Sequence, residues 1–170
     1  MRPVVAGLAA AWVWLAACGG PDAPVCSSGR IAGTSEGEDM APGQACLACH
    51  AYVNSGGDGM EAPSFGFAGT VYEMAHEPDG CVGGPVDAAG DSGTDRGQIE
   101  VTAATGERFV APVTAGGNFM LEAVIAQPFT ARIVYQGRSR EMVMRQPSGD
   151  CNTCHTVDGA SGAPGRIRLP

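Results

Sequence analysis

Two copies of one pentapeptide, Cys46-Leu47-Ala48-Cys49-His50 and Cys151-Asn152-Thr153-Cys154-His155, constrain this 170-residue chain more than any other feature. Each reads C-x-x-C-H. Two thiols at that spacing reach the two vinyl groups of one haem and close thioether bonds, and the histidine that follows binds the iron from one face. The pattern predicts two covalently bound haem c groups. Cys46, Cys49, Cys151 and Cys154 are the expected attachment thiols, and His50 and His155 the expected proximal ligands. Other chemistries also use C-x-x-C. A four-cysteine zinc site needs no histidine directly after its second cysteine. A thioredoxin-like motif needs a βαβ context, and the surrounding pattern here is loop and strand. Two disulfides remain open for a chain that never meets haem.

The N-terminus sets the expected compartment. Arg2 is a short basic region, and residues 4–17 form an apolar, alanine-rich run with Trp12 and Trp14. That run is too short to span a bilayer and reads as a signal peptide over residues 1–17. It ends at Leu15-Ala16-Ala17-Cys18, which resembles the lipobox of bacterial lipoproteins. The resemblance implies cleavage before Cys18, lipid on its sulfur, and a membrane anchor in the bacterial cell envelope. Gly19 stands where an aspartate would resemble an inner-membrane retention signal, which leans the address toward the outer membrane. Residues 18–42 are rich in Gly, Pro, Ser, Asp and Glu and are expected to be a flexible tether.

Of seven cysteines, one is assigned to lipid and four to haem. Cys26 and Cys81 are the even remainder, a candidate disulfide in an exported, oxidising setting. Ten basic residues stand against 18 acidic ones, a formal net charge of −8. That balance excludes a nucleic-acid partner, whose phosphates need a basic surface. The expected partners are redox proteins and the membrane.

Between the motifs the periodicity is that of strands. Phe67, Gly69 and Val71 alternate with Ala68, Thr70 and Tyr72, after a first haem-binding segment over residues 43–64. A long acidic, Gly-rich loop over residues 74–96 follows. Ile99, Val101 and Ala103 alternate with Glu100 and Thr102; Thr105-Gly106 is a turn, and residues 108–113 return. Gly116-Gly117 turns into Phe119, Leu121, Ala123 and Ile125 on one face, and Gln127-Pro128 breaks that run. Phe129, Ala131, Ile133 and Tyr135 share the next inner face, and Gln136-Gly137 turns into residues 139–145. Six short strands at close intervals predict a mostly β chain, a single antiparallel β-sandwich over residues 65–145. The haem-binding flanks on either side, the second over residues 146–170, read as loop-rich. Phe67-Ala68-Gly69-Thr70-Val71-Tyr72, Ile99-Glu100-Val101-Thr102, Gly116-Gly117-Asn118-Phe119 and Pro128-Phe129-Thr130-Ala131-Arg132 together resemble the carboxypeptidase regulatory-like, prealbumin-like β-sandwich. The resemblance covers residues 66–145 and implies a non-catalytic module with no site residues of its own.

Counting histidines separates the two haems. The chain has three, and with His50 and His155 proximal only His76 is spare. At most one haem can take two histidines from this chain, and the other needs methionine or another donor at its sixth position. Methionine at that position raises the reduction potential. His76 is the candidate distal histidine, and Met60 and Met142 are the leading methionine candidates. Met142 and Met144 share a strand face, where core packing is the plain alternative. Di-haem peroxidases are larger and helical, and no Ser/His/Asp set, nucleotide loop or paired carboxylates stand out. The expected role is a membrane-anchored electron carrier rather than an enzyme. A non-enzymatic envelope lipoprotein with disulfides or a metal at its C-x-x-C pairs is the alternative.

Overall fold

The computed structural model describes residues 24–32, 36–56, 61–85 and 95–170. Among these, seven strands form two sheets. One has the order β4(Asn118–Leu121), β1(Phe67–Tyr72), β7(Ile167–Arg168). The other has the order β3(Arg108–Pro112), β2(Gln98–Thr102), β5(Thr130–Tyr135), β6(Arg138–Glu141). Pairing is antiparallel throughout except for the parallel β1–β7 pair. The fold is the mostly β sandwich that the alternation predicts.

Period-two alternation builds the core directly. Ile99 and Val101 of β2, Ala111 of β3, and Ala131 and Ile133 of β5 point inward from one sheet. Phe67 and Val71 of β1 and Phe119 of β4 meet them from the other. Phe67 lies 5.4 Å from Phe119 and edge-on to Phe129 at 5.5 Å between ring centroids, the geometry aromatic rings prefer. The Gln136-Gly137 turn has positive φ at both positions, 49° and 73°. That is the backbone of a two-residue hairpin whose twist matches the strands it joins.

Three expectations are adjusted. The run expected to stay extended through Ile125 leaves the sheet after Leu121, where Gly66 N–H takes the Leu121 carbonyl at 2.9 Å. Its alternation still sorts side chains, with Ile125 buried and Val124 exposed. A seventh strand, β7, comes from the Gly-rich tail. The first motif, in a flank that reads as loop-rich, lies on a ten-residue helix, α1(Cys46–Ser55).

The described part of the expected tether is docked on the sandwich. Cys26 and Cys81 are joined by a disulfide with Cα atoms 5.5 Å apart. Ile31 bridges Cys81, Ser27 N–H donates to the Glu77 carboxylate at 2.7 Å, and Asn118 Nδ2 donates to the carbonyls of Glu38 and Met40. Gly43 N–H donates to Thr70 Oγ1 at 2.9 Å. Residues 1–17, Cys18 and Met60 lie outside the described residues.

Candidate functional site

All six residues of β1 are buried, so the strand is covered on both faces and along its edges. Phe67 and Val71 face the core. The edge away from β4 is completed by the second motif and its flanks. Ala68 N–H donates to the Gly149 carbonyl at 2.9 Å, Thr70 N–H to Asn152 Oδ1 at 3.0 Å, and β7 pairs with Val71 and Tyr72. The Asn152 amide thus stands in for a peptide group of a missing strand. Gly69 allows the approach: a Cβ there would meet Cys151 Cβ at 2.9 Å and Phe119 Cζ at 2.6 Å. The second motif occupies a 3₁₀ turn, Cys151–Thr153, with His155 N–H returning to the Cys151 carbonyl at 2.9 Å.

The first motif reaches the same place from the other end of the chain. Helix α1 starts at Cys46, and its N-cap, Ala45, offers no side-chain acceptor. Asp150, the residue before the second motif, supplies one, its Oδ2 accepting Ala48 N–H at 3.1 Å. A carboxylate at a helix N-terminus meets unpaired amides and the positive end of the helix dipole. Asn152 completes the contact, donating from Nδ2 to the Gln44 carbonyl at 2.8 Å and to Thr70 Oγ1 at 3.1 Å, with Cys46 Sγ at 3.9 Å. The two pentapeptides, about 100 residues apart in sequence, are neighbours.

Each of the three histidines is held in the same way. His50 Nδ1 lies 2.7 Å from the Pro63 carbonyl, His155 Nδ1 2.8 Å from the Gly165 carbonyl, and His76 Nδ1 2.7 Å from the Val157 carbonyl. A carbonyl oxygen only accepts, so in each ring the proton of the neutral form sits on Nδ1 and the lone pair on Nε2. That is the tautomer of an iron ligand with its supporting hydrogen bond already made. His50 also stands beside the Phe65 ring at 5.0 Å.

The surroundings of the two motifs differ. No residue of α1 is buried; Cys49 is exposed and Tyr52 is 77% exposed. The second motif opens on a cavity of about 430 Å³, with Cys151, Cys154 and His155 in its wall. Phe67, Phe119, Ile133 and Ile167 supply apolar lining, and Arg140 and Arg168 supply cationic groups. The cavity volume lies in the range of small-molecule pockets. Met142 and Met144 line the same cavity; Met142 also packs against the core, and Met144 is largely exposed. His76 lies beside the loop that follows His155, with its ring near Gly165, and is not part of the cavity wall.

The four motif thiols are free. Burial, then the neighbouring Asp150 carboxylate, pushes the Cys46 thiol up to about 11. The same two causes raise the Cys151 thiol further. Both thiols are therefore neutral at neutral pH, the form that is the weaker nucleophile and metal donor.

Three residues at this centre carried no signal in the sequence. Asp150 and Asn152 flank Cys151 in the chain, and nothing in their local pattern shows that they reach residues 44–48. Arg166 sits in the Gly-rich tail, yet it is buried beneath the Tyr72 ring, 5.0 Å from its centroid. It donates to the carbonyls of Glu77 and His155 at 2.8 and 3.2 Å and forms an ion pair with Asp79. Comparison with family models, with curated proteins and with solved structures finds no match to this chain.

Proposed function

We propose that this protein is a di-haem c-type cytochrome that carries electrons in the cell envelope, anchored through lipid at Cys18. Cys46 and Cys49 would hold one haem, with His50 on its iron. Cys151 and Cys154 would hold the other, with His155 on its iron. The residues fit the group: each motif histidine presents Nε2 with its Nδ1–H already satisfied, and the second motif lies in an apolar cavity of suitable size. When bound, haem supplies a one-electron Fe(III)/Fe(II) couple tuned by its axial ligands and burial.

The chain's own contribution is placement and electrostatics. The Pro63 and Gly165 carbonyls fix the two imidazole rings. Phe67, Phe119 and Ile133 keep water from one face of the second site, and Arg140 and Arg168 offer partners for the carboxylates of a bound haem. Met142 and Met144 bring thioether sulfurs into the same cavity and are candidates for the sixth position there. His76 is a candidate in the neighbouring loop. The strand sandwich serves as a frame, as the resemblance to the carboxypeptidase regulatory-like module implies.

The observation that carries this reading is the shared setting of the motif histidines, each with Nδ1 on a backbone carbonyl and Nε2 free for a ligand. Pyridine haemochrome absorption on protein matured with haem-ligation machinery tests it. The expected result is two haems per chain. Protein so matured that carries no covalent haem would point instead to an envelope lipoprotein with disulfides or a metal at its C-x-x-C pairs.

A further inference from the structure

The contacts that join the two motifs are not incidental packing, because they come from residues inside or directly beside each pentapeptide and run in both directions. Asp150, just before the second motif, takes the Ala48 amide inside the first. Asn152, inside the second motif, donates to Gln44 just before the first. Arg166 reaches both sides, with Nη1 3.4 Å from the Gly43 carbonyl and 3.2 Å from the His155 carbonyl. Asn152 is 2% exposed and Arg166 3% exposed. Water has little access to the Asn152 and Arg166 ends of these bonds, and breaking one leaves a buried polar group without its partner. Thr70 ties the seam to the frame, its hydroxyl within hydrogen-bond distance of Gly43 N–H, Asn152 Nδ2 and Asn118 Oδ1.

We infer that Asp150, Asn152 and Arg166 are positioning residues that lock the two attachment motifs into one unit. They hold the two haems at a short, fixed spacing, so the haems behave as an interacting pair. The inference rests on the di-haem reading above and adds to it the geometry of the pair. Two anchors on separate flexible flanks would leave the spacing free, and the haems would act independently. Here the anchors share one strand, β1, and one set of buried hydrogen bonds.

The test uses the full matured chain, with two haems per chain established first by haemochrome absorption. Circular dichroism across the main haem band then reads the pair. Two haems held close and fixed give a two-signed couplet; a simple one-signed band in protein carrying both haems would overturn the inference. Replacing Cys46 and Cys49 by serine removes one haem and should abolish the couplet. Asn152→Ala should keep both haems but lose most of the couplet amplitude, and an unchanged couplet would remove Asn152 from the seam. If Asn152→Ala does not accumulate, Asn152→Ser reads the same way. Fewer than two haems in the unmodified chain would remove the functional reading, and the inference with it.

Discussion

The two copies of one pentapeptide meet very different surroundings. The first rides on a surface helix with no buried residue, its second thiol exposed. The second is wound into a 3₁₀ turn that finishes the edge of the central strand and opens on an apolar cavity. The motif is the same, so the difference lies in what the flanking chain can bury. Phe67, Phe119 and Ile133 belong to the sandwich and also wall the second site. Among the described residues, His50 of the first site has the Phe65 ring and the Pro63 carbonyl beside it, and no aromatic of the sandwich core. On the di-haem reading proposed above, the motif would specify the bonds to the cofactor, while the neighbouring fold would specify solvent access and with it the electronic setting.

Substitutions at the two sites should split along this line. The largest expected effect is Phe67→Ala. It empties a fully buried aromatic position that walls the second site and should cost about 3–5 kcal/mol. Tyr52→Ala, on the exposed face of the first helix, should stay within about 0.5 kcal/mol. Chemical denaturation of both variants checks the contrast, and equal losses would break it.

Gly69→Ala comes next. Its new Cβ would press on both Cys151 and Phe119, so overpacking should cost about 1–3 kcal/mol and disturb the second site before the first. On the proposed di-haem reading, haem spectra taken in single-motif backgrounds would separate the sites. Asn152→Ala should cost about 1–3 kcal/mol, because the Thr70 amide and the Gln44 carbonyl lose a buried partner together. Unlike the first two, this change acts on both motifs, so it should shift the signals of both.

The smallest effect is one of pH. Burial holds the Asp150 carboxyl above its ordinary value, against the opposing pull of the Ala48, Leu47 and Cys46 amides. A carboxyl raised in the folded chain binds its proton more tightly there than in the unfolded chain. Its contribution is complete below the unfolded value of about 4 and is lost as pH rises through the folded one. Stability should therefore fall on this account from about pH 4 upward. Asp150→Asn should flatten that slope in urea unfolding at stepped pH, and a slope unchanged by the substitution would remove Asp150 as its source.

The sandwich was legible because its strands obey a local rule. Ile99, Val101 and Ala103, and Phe129, Ala131 and Ile133, alternate in sequence and are buried in the structure. The Gln136-Gly137 turn was readable from Gly137, which takes a positive φ at no steric cost, whereas the positive φ of Gln136 is set by the hairpin it closes. Strand β7 was not readable. Ile167 and Arg168 are extended because β1 has an open edge to pair with, a fact located about 95 residues away. The docking of residues 24–32 and 36–43 was legible only in the candidate Cys26–Cys81 pair, and its hydrogen bonds were not. Their polar, glycine-rich composition describes a free chain, whereas their order comes from a disulfide and from acceptors on Thr70 and Glu77. The pentapeptides announced the candidate site at once, but the seam between them depends on Asp150, Asn152 and Arg166, whose partners beside the first motif are more than 100 residues away in sequence.

Peptide mapping by mass spectrometry on protein matured with haem-ligation machinery tests the central claim most directly. The account predicts two separate haem-bearing peptides, one containing Cys46 and Cys49 and the other Cys151 and Cys154, with Cys26 joined to Cys81. Either pentapeptide recovered as a disulfide or a free dithiol in that preparation would contradict it.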